Sequence, residues 1–302
     1  MLASVIETAK AIQPYLAPTP LVPSLLLSKH YGLDLWLKLE MESPVGSFKA
    51  RGALRCLIER SKEGHREFTT ASTGNHGMAV AFAGCQLGLP THVFVPKSAS
   101  RRKIALIGEF TPNLVLTDCD FDAAKEMAAN LAREKGHYFV DDGGEYAIVE
   151  GTATIGWEIM NQMTPDAVVV PVGNGALISG IGMAVKAISP ETRVIGVQPE
   201  KAPTMYLSWK EKRPVTLDSI STIADGLASR VAVPQAVELM NKVVDDMVLV
   251  SDDEIMEALR LFVRAECRVI EPSSAAALAA LPRLRARKVV AIMTGRNYEL
   301  RG

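Results

Sequence analysis

Runs of apolar, β-branched residues alternate along the chain with segments whose apolar residues recur at three-and-four spacing. The runs predict strands over residues 34–39, 67–71, 92–95, 114–117, 138–140, 167–172, 193–197, 247–250 and 288–293. The periodic segments predict helices over residues 48–63, 77–87, 99–108, 122–135, 154–163, 177–188, 234–242, 252–267 and 274–281, the last stopping before Pro282. Strand and helix in alternation is the signature of crossover units on a parallel sheet. Nine strands are more than one compact sheet of this chain length uses, so an α/β fold of two open, twisted, mostly parallel sheets flanked by helices is expected. A small domain, residues 41–141, would be inserted into a large one made of residues 1–40 and 142–302. The cleft between the carboxyl ends of the two sheets is then the expected ligand site. The Pro-containing stretch 200–228 shows no clear period and is expected to be irregular cover over one face.

Residues 167–185 carry no charge and approach the length of a bilayer span. Pro171 and the Gly173-Asn174-Gly175 cluster divide them into strand, turn and helix, so no membrane span is expected. Glu7 and Lys10 interrupt what would be the apolar core of a signal peptide. With 33 basic and 34 acidic residues the net charge is -1, which gives no field to attract nucleic acid or an anionic membrane. Cys56, Cys85, Cys119 and Cys267 form neither a metal pattern nor a disulfide framework and suit a reducing, cytoplasmic compartment. His30, His65, His92 and His137 are scattered with no metal-ligand spacing; only His76 lies beside candidate chemistry.

Three segments carry that chemistry. Ser43-Pro44-Val45-Gly46-Ser47-Phe48-Lys49 reads as a turn capped by Ser47, with a lysine in the first helical turn. The helix dipole and desolvation both favour its neutral amine, the form that condenses with a carbonyl. Against this stands the ordinary fate of a lysine, which is to reach solvent. Ser72-Thr73-Gly74-Asn75-His76-Gly77 joins a strand to a helix, and its hydroxyls, amide and backbone N–H groups suit a carboxylate, or equally a plain helix cap. Gly173-Asn174-Gly175-Ala176-Leu177 stands at the next such junction, as a phosphate cradle or as a tight turn. Ile178 stands where a dinucleotide fingerprint needs glycine, and Ile181 follows Gly180 where a triphosphate loop needs lysine, so a single phosphate is the better fit. Glu271-Pro272-Ser273-Ser274 and Thr294-Gly295-Arg296-Asn297 are weaker signals at the ends of the last elements.

Together these segments resemble the serine/threonine dehydratase and serine racemase family of pyridoxal phosphate enzymes, with the tryptophan synthase β-like fold known as fold type II. The resemblance rests on SFKARGA at 47–53, STGNHG at 72–77, VPVGNGALISGI at 170–181, IADGLA at 223–228, EPSSA at 271–275 and TGRN at 294–297, in family order along nearly the whole chain. It implies that Lys49 binds pyridoxal 5'-phosphate as a Schiff base and later acts as the base that removes the α-proton. It implies that Phe48 packs on the cofactor and Asn75 meets the phenolic oxygen. The backbone of Gly173, Asn174, Gly175, Ala176 and Leu177 would hold the phosphate, and Thr294 would meet the pyridine nitrogen. Ser72, Thr73, Asn75 and His76 would bind the substrate. The implied reaction is α,β-elimination from L-serine, L-threonine or a related β-hydroxy amino acid to a 2-oxo acid and ammonia, by a homodimer.

The chain departs from the family pattern in four places. Asn174 and Ala176 interrupt a loop that relatives build almost wholly from glycine. Thr73 stands where racemases place a second, serine base, which argues against racemisation. Gln198 and Thr204 replace the acidic ligands of the racemases' cation site, so no metal is expected there. The chain ends soon after TGRN, so the regulatory domain of biosynthetic threonine dehydratases is not expected. The alternatives are β-replacement of the threonine synthase type, racemisation, a non-catalytic pyridoxal phosphate binder, and a nicotinamide dehydrogenase using Glu200.

Overall fold

A computed structural model describes residues 2–111 and 113–298. The strands are β1 (Leu21–Pro23), β2 (Asp34–Lys38), β3 (Phe68–Ala71), β4 (Thr91–Pro96), β5 (Asn113–Thr117), β6 (Tyr138–Phe139), β7 (Ala167–Pro171), β8 (Arg193–Pro199), β9 (Asp246–Val250) and β10 (Lys288–Ile292). The helices are α1 (Leu2–Ile12), α2 (Leu25–Tyr31), α3 (Lys49–Lys62), α4 (Asn75–Leu87), α5 (Arg101–Gly108), α6 (Phe121–Lys135), α7 (Tyr146–Met160), α8 (Ala176–Ile188), α9 (Thr204–Glu211), α10 (Pro234–Val243), α11 (Asp252–Glu266) and α12 (Pro272–Ala279). Six strands form one sheet in the order β1-β2-β10-β7-β8-β9, and four form another in the order β5-β4-β3-β6. Every pairing between them is parallel except β1 with β2. The expected α/β architecture of two mostly parallel sheets is therefore observed.

Helices cover both faces of the large sheet, which is why its central strands read as unbroken apolar runs: all of β7, Ala-Val-Val-Val-Pro, is buried. Each expected strand is present, whereas α1, β1 and α2 at the N-terminus were not anticipated. β1 is three residues between prolines and α2 only seven residues, too short to display a period. Residues 200–228 are also less irregular than expected, since α9 occupies part of them. The expected helix at 154–163 in fact begins at Tyr146. Gly151 lies in the added turns and is a contact residue: a Cβ on it would lie 2.5 Å from the Arg51 carbonyl oxygen of α3. Among the described residues no helix is long and apolar enough to cross a membrane.

A buried charge network fastens α3 to its surroundings. Arg51 Nε donates to Glu40 Oε2 at 2.8 Å and Arg51 Nη2 to Glu40 Oε1 at 2.9 Å. On its other side Arg51 Nη1 reaches Glu158 Oε1 of α7 at 2.5 Å and Thr154 Oγ1 at 2.9 Å. Lys38, at the end of β2, also pairs with Glu158 and donates to the Thr19 carbonyl at 2.6 Å. Removing one partner of such a set strands a buried charge. Arg51→Met should therefore cost about 3–5 kcal/mol, read as a lower midpoint in urea unfolding.

Candidate active site

The carboxyl ends of β3 and β6 from the small sheet, and of β7 and β10 from the large one, meet around a cavity of about 620 Å3. Phe48, Lys49, Ser72, Thr73, Asn75, His76, Gly173, Asn174, Gly175, Leu177 and Thr294 all line it, although they come from segments far apart in sequence. Ala176 does not. Its N–H is taken by Asn174 Oδ1 at 3.1 Å, so the expected contribution of that amide to the cradle is met by a side chain of the same loop.

Lys49 opens α3. The preceding turn is closed by Ser43, whose Oγ accepts from Ser47 N at 3.0 Å and donates to Ser47 O at 2.6 Å. The residue at the cap position is Phe48 rather than Ser47. Ser47 Oγ is buried without a hydrogen-bond partner, and the Ser47 backbone forms a bridge with Gly295. Phe48 N donates to Thr294 O at 3.0 Å, which ties the lysine turn to the end of β10.

Lys49 Nζ lies 2.5 and 2.7 Å from the two carboxylate oxygens of Asp142, an ion pair where the sequence reading expects an uncharged amine. Burial would raise the Asp142 carboxyl, but Lys49 and then His76 hold it down, to about 2. His76 bridges Asp142 Oδ1, at 3.4 Å from Nδ1, and Val140 O, at 3.3 Å from Nε2. Its own burial pushes the imidazole below its ordinary range against the pull of Asp142, so it is neutral at pH 7. The sequence reading missed Asp142. The available signal was position: Asp141-Asp142-Gly143-Gly144 follow a strand directly, and strand ends in this fold face the cleft.

Across the cavity, Gly173 and Gly175 begin α8 at the end of β7. A Cβ on Gly173 would meet Gly226 O at 2.6 Å, and Gly175 has a left-handed backbone (φ +95) pressed against Met240. The loop is thereby held as bare backbone at a helix N-terminus, which suits a phosphate. Asn174 Nδ2 donates to Asp142 O at 3.0 Å and so joins the loop to the β6 end of the small sheet. A second join at the mouth is the ion pair of Lys103 Nζ with Asp225 Oδ2 at 2.9 Å.

Asn75 is oriented from both sides: Asn297 Nδ2 donates to its Oδ1 at 2.8 Å, and its Nδ2 donates to Glu271 at 3.1 and 3.3 Å. Glu271 is pushed up to about 7, by burial above all, with Asn75 opposing. Thr294 Oγ1 lies 2.9 Å from Ser274 Oγ, which also donates to Gly295 O at 2.8 Å.

An α/β fold with a lysine amine facing a glycine-lined helix start across a cleft defines a class of enzymes built for a phosphorylated carbonyl cofactor. Residues 12–295 match the family described as pyridoxal-phosphate dependent enzymes, and the chain belongs to that family. It is 35% identical over 301 residues to an L-threonine ammonia-lyase of Thermotoga maritima, covering 97% of this chain and 75% of that one. It is 36% identical over 275 residues to a phenylserine dehydratase of Ralstonia pickettii, covering 89% and 84%. The solved structure of maize serine racemase superposes with a TM-score of 0.94 at 27% identity, covering 99% and 94%.

The burial of Glu271 makes a testable statement about pH. Its pKa is raised above the unfolded value, so its favourable contribution is complete below pH 4.5 and is lost as pH rises to about 7. For the cofactor-free protein that loss is on the order of 3 kcal/mol at about 1.36 kcal/mol per unit, between 4.5 and about 7. Urea unfolding across this window should show the decline in the wild type and not in Glu271→Gln.

Proposed function

We propose that this chain is a pyridoxal phosphate-dependent ammonia-lyase acting on serine, threonine or a related β-hydroxy amino acid, with release of a 2-oxo acid and ammonia. The names of the threonine ammonia-lyase and phenylserine dehydratase relatives support the substrate class. The observation that carries the reading is the position of Lys49, whose amine lines the cavity together with the backbone of the Gly173–Gly175 loop.

The residues present fit the cofactor: an amine, a bare-backbone helix start, an amide and a neutral hydroxyl surround one cavity. When bound, pyridoxal phosphate supplies an electron sink that acidifies the α-proton of an amino acid. Lys49 would hold its carbonyl carbon as a Schiff base, Gly173, Asn174, Gly175 and Leu177 its phosphate, Asn75 its phenolic oxygen and Thr294 its ring nitrogen, with Phe48 alongside. Ser72, Thr73 and His76, at the start of α4, would receive the substrate carboxylate, helped by the helix dipole. The freed Lys49 Nζ takes the α-proton as general base, and the ammonium so formed is offset by Asp142. Asp142 itself, held at about 2, stays ionised and does not compete for that proton. Thr294 offers a hydroxyl, which does not oblige the ring nitrogen to remain protonated, and this favours loss of the β-group over transamination.

The same reading takes residues 41–141 as the small domain and the remainder as the large one. It places the protein in the cytoplasm as a homodimer. Four unpaired cysteines support the reducing compartment, and the neighbouring exposed Leu25 and Leu26 of α2 support a partner surface.

The test is an absorbance scan of purified holoenzyme followed by L-serine, L-threonine and phenylserine, with 2-oxo acid measured in the absence of any added nucleophile. Lys49→Ala should lower that turnover by about 10²–10⁴-fold or more, and borohydride should fix the cofactor to the wild type but not to the variant. Turnover that survives in Lys49→Ala, or 2-oxo acid that appears only with an added nucleophile, would overturn the proposal.

A further inference from the structure

The starts of the small sheet's strands lie at the opposite end from the cavity. Register brings Thr69 of β3 beside His92 of β4, and Phe68 beside Tyr138 of β6. Tyr138 N donates to Glu67 O at 2.9 Å, so His137 begins its strand alongside Glu67. Residues 67 and 69 are two apart and share a face. The two histidines, 45 positions apart in the numbering of the chain, therefore flank the central strand on one side of the sheet. Their rings lean together over it, stacked with centroids 4.8 Å apart and an interplanar angle of 26°. This corrects the impression of dispersed histidines that the sequence leaves.

Both Nε2 atoms address the same carboxylate oxygen: Glu67 Oε2 lies 3.2 Å from His92 and 3.1 Å from His137. One ligand atom from each residue lies within 4.8 Å of the others. His137 Nδ1 is 3.0 Å from Thr69 Oγ1, so a hydroxyl stands ready to accept its N–H and leave the Nε2 lone pair outward. Two imidazoles converging on one carboxylate oxygen gather three donor atoms within reach of a single ion.

We propose that Glu67, His92 and His137 form a binding site for a divalent transition metal ion of the zinc type. Two imidazoles and a carboxylate are a donor set suited to such ions, and the half-exposed side of Glu67 leaves a position open to water. The Thr69 hydroxyl is the outer partner that fixes one ring. The negative end of the α6 dipole, at Lys135 and Gly136, favours a cation here, against the opposing charges of Arg133 and Lys135 in the same turn and of Arg66 beside Glu67. The ion would tie together the first residues of three neighbouring strands, remote from Lys49, and its role is to brace the small sheet rather than to react.

The test uses holoenzyme stripped of adventitious metal by a chelator and then titrated with Co²⁺, followed through its visible bands, and with Zn²⁺, followed by calorimetry and thermal unfolding. A single ion per chain is expected, together with a thermal midpoint that climbs with Zn²⁺ concentration. His92→Gln and Glu67→Gln should each weaken binding by about tenfold or more while turnover without added metal, which reports their folding, stays at the wild-type level. Replacing Cys85 and Cys267 by serine should leave binding intact. Absence of cobalt bands at millimolar concentration, equal binding in the Gln variants, or loss of binding on cysteine replacement would each overturn the proposal.

Discussion

The ion cluster around Arg51 is the constraint on which the site depends. Four charged side chains from β2, the following turn, α3 and α7 meet out of water, and each guanidinium nitrogen of Arg51 has a partner. Buried ion pairs add little net stability, because desolvation offsets their attraction. What they add is direction: a planar guanidinium held by two carboxylates admits few orientations. Lys49 lies two residues before Arg51 on the same helix, so orienting one orients the other.

The cavity is then a consequence of parallel topology. Parallel strands end on the same side, and two parallel sheets facing each other bring loops from both to one place. The polar groups delivered there are paired among themselves: Lys49 with Asp142, Asn75 with Glu271 and Asn297, Asn174 with Asp142. A ligand entering this cavity exchanges partners with groups that are already oriented. Such preorganisation lowers the cost of ordering a site on binding.

What the sequence conveys depends on how local each feature is. Buried parallel strands such as β7 and β10 announce themselves as β-branched runs, and Lys49 and the glycine loop stand in contiguous motifs legible along the chain. Short or edge elements, β1 and α2 among them, bury too little to leave a pattern. In sequence, a glycine such as Gly151, which allows the close approach of two helices, looks the same as one that ends a helix. Asp142 and Glu271 were harder still. An aspartate after a strand and a glutamate before a helix are commonplace, and only the apposition of two sheets gives the first its lysine and the second its desolvation. The meeting of His92 with His137 is likewise a product of register, which no spacing along the chain encodes.

The order of strands in the large sheet has a temporal consequence. β10 comes after the other described strands in chain order, yet it lies in the middle of the sheet, between β2 and β7. Its pairing with β2 joins residues 288 and 34, so the two halves of the sheet close only by contacts between residues far apart in the chain. Contacts of this kind form late and slowly. Until β10 is made, the inner edges of the flanking strands stay unpaired, the kind of exposed edge that favours aggregation. Because Thr294 follows β10, the cavity it lines acquires that wall only when the gap is filled.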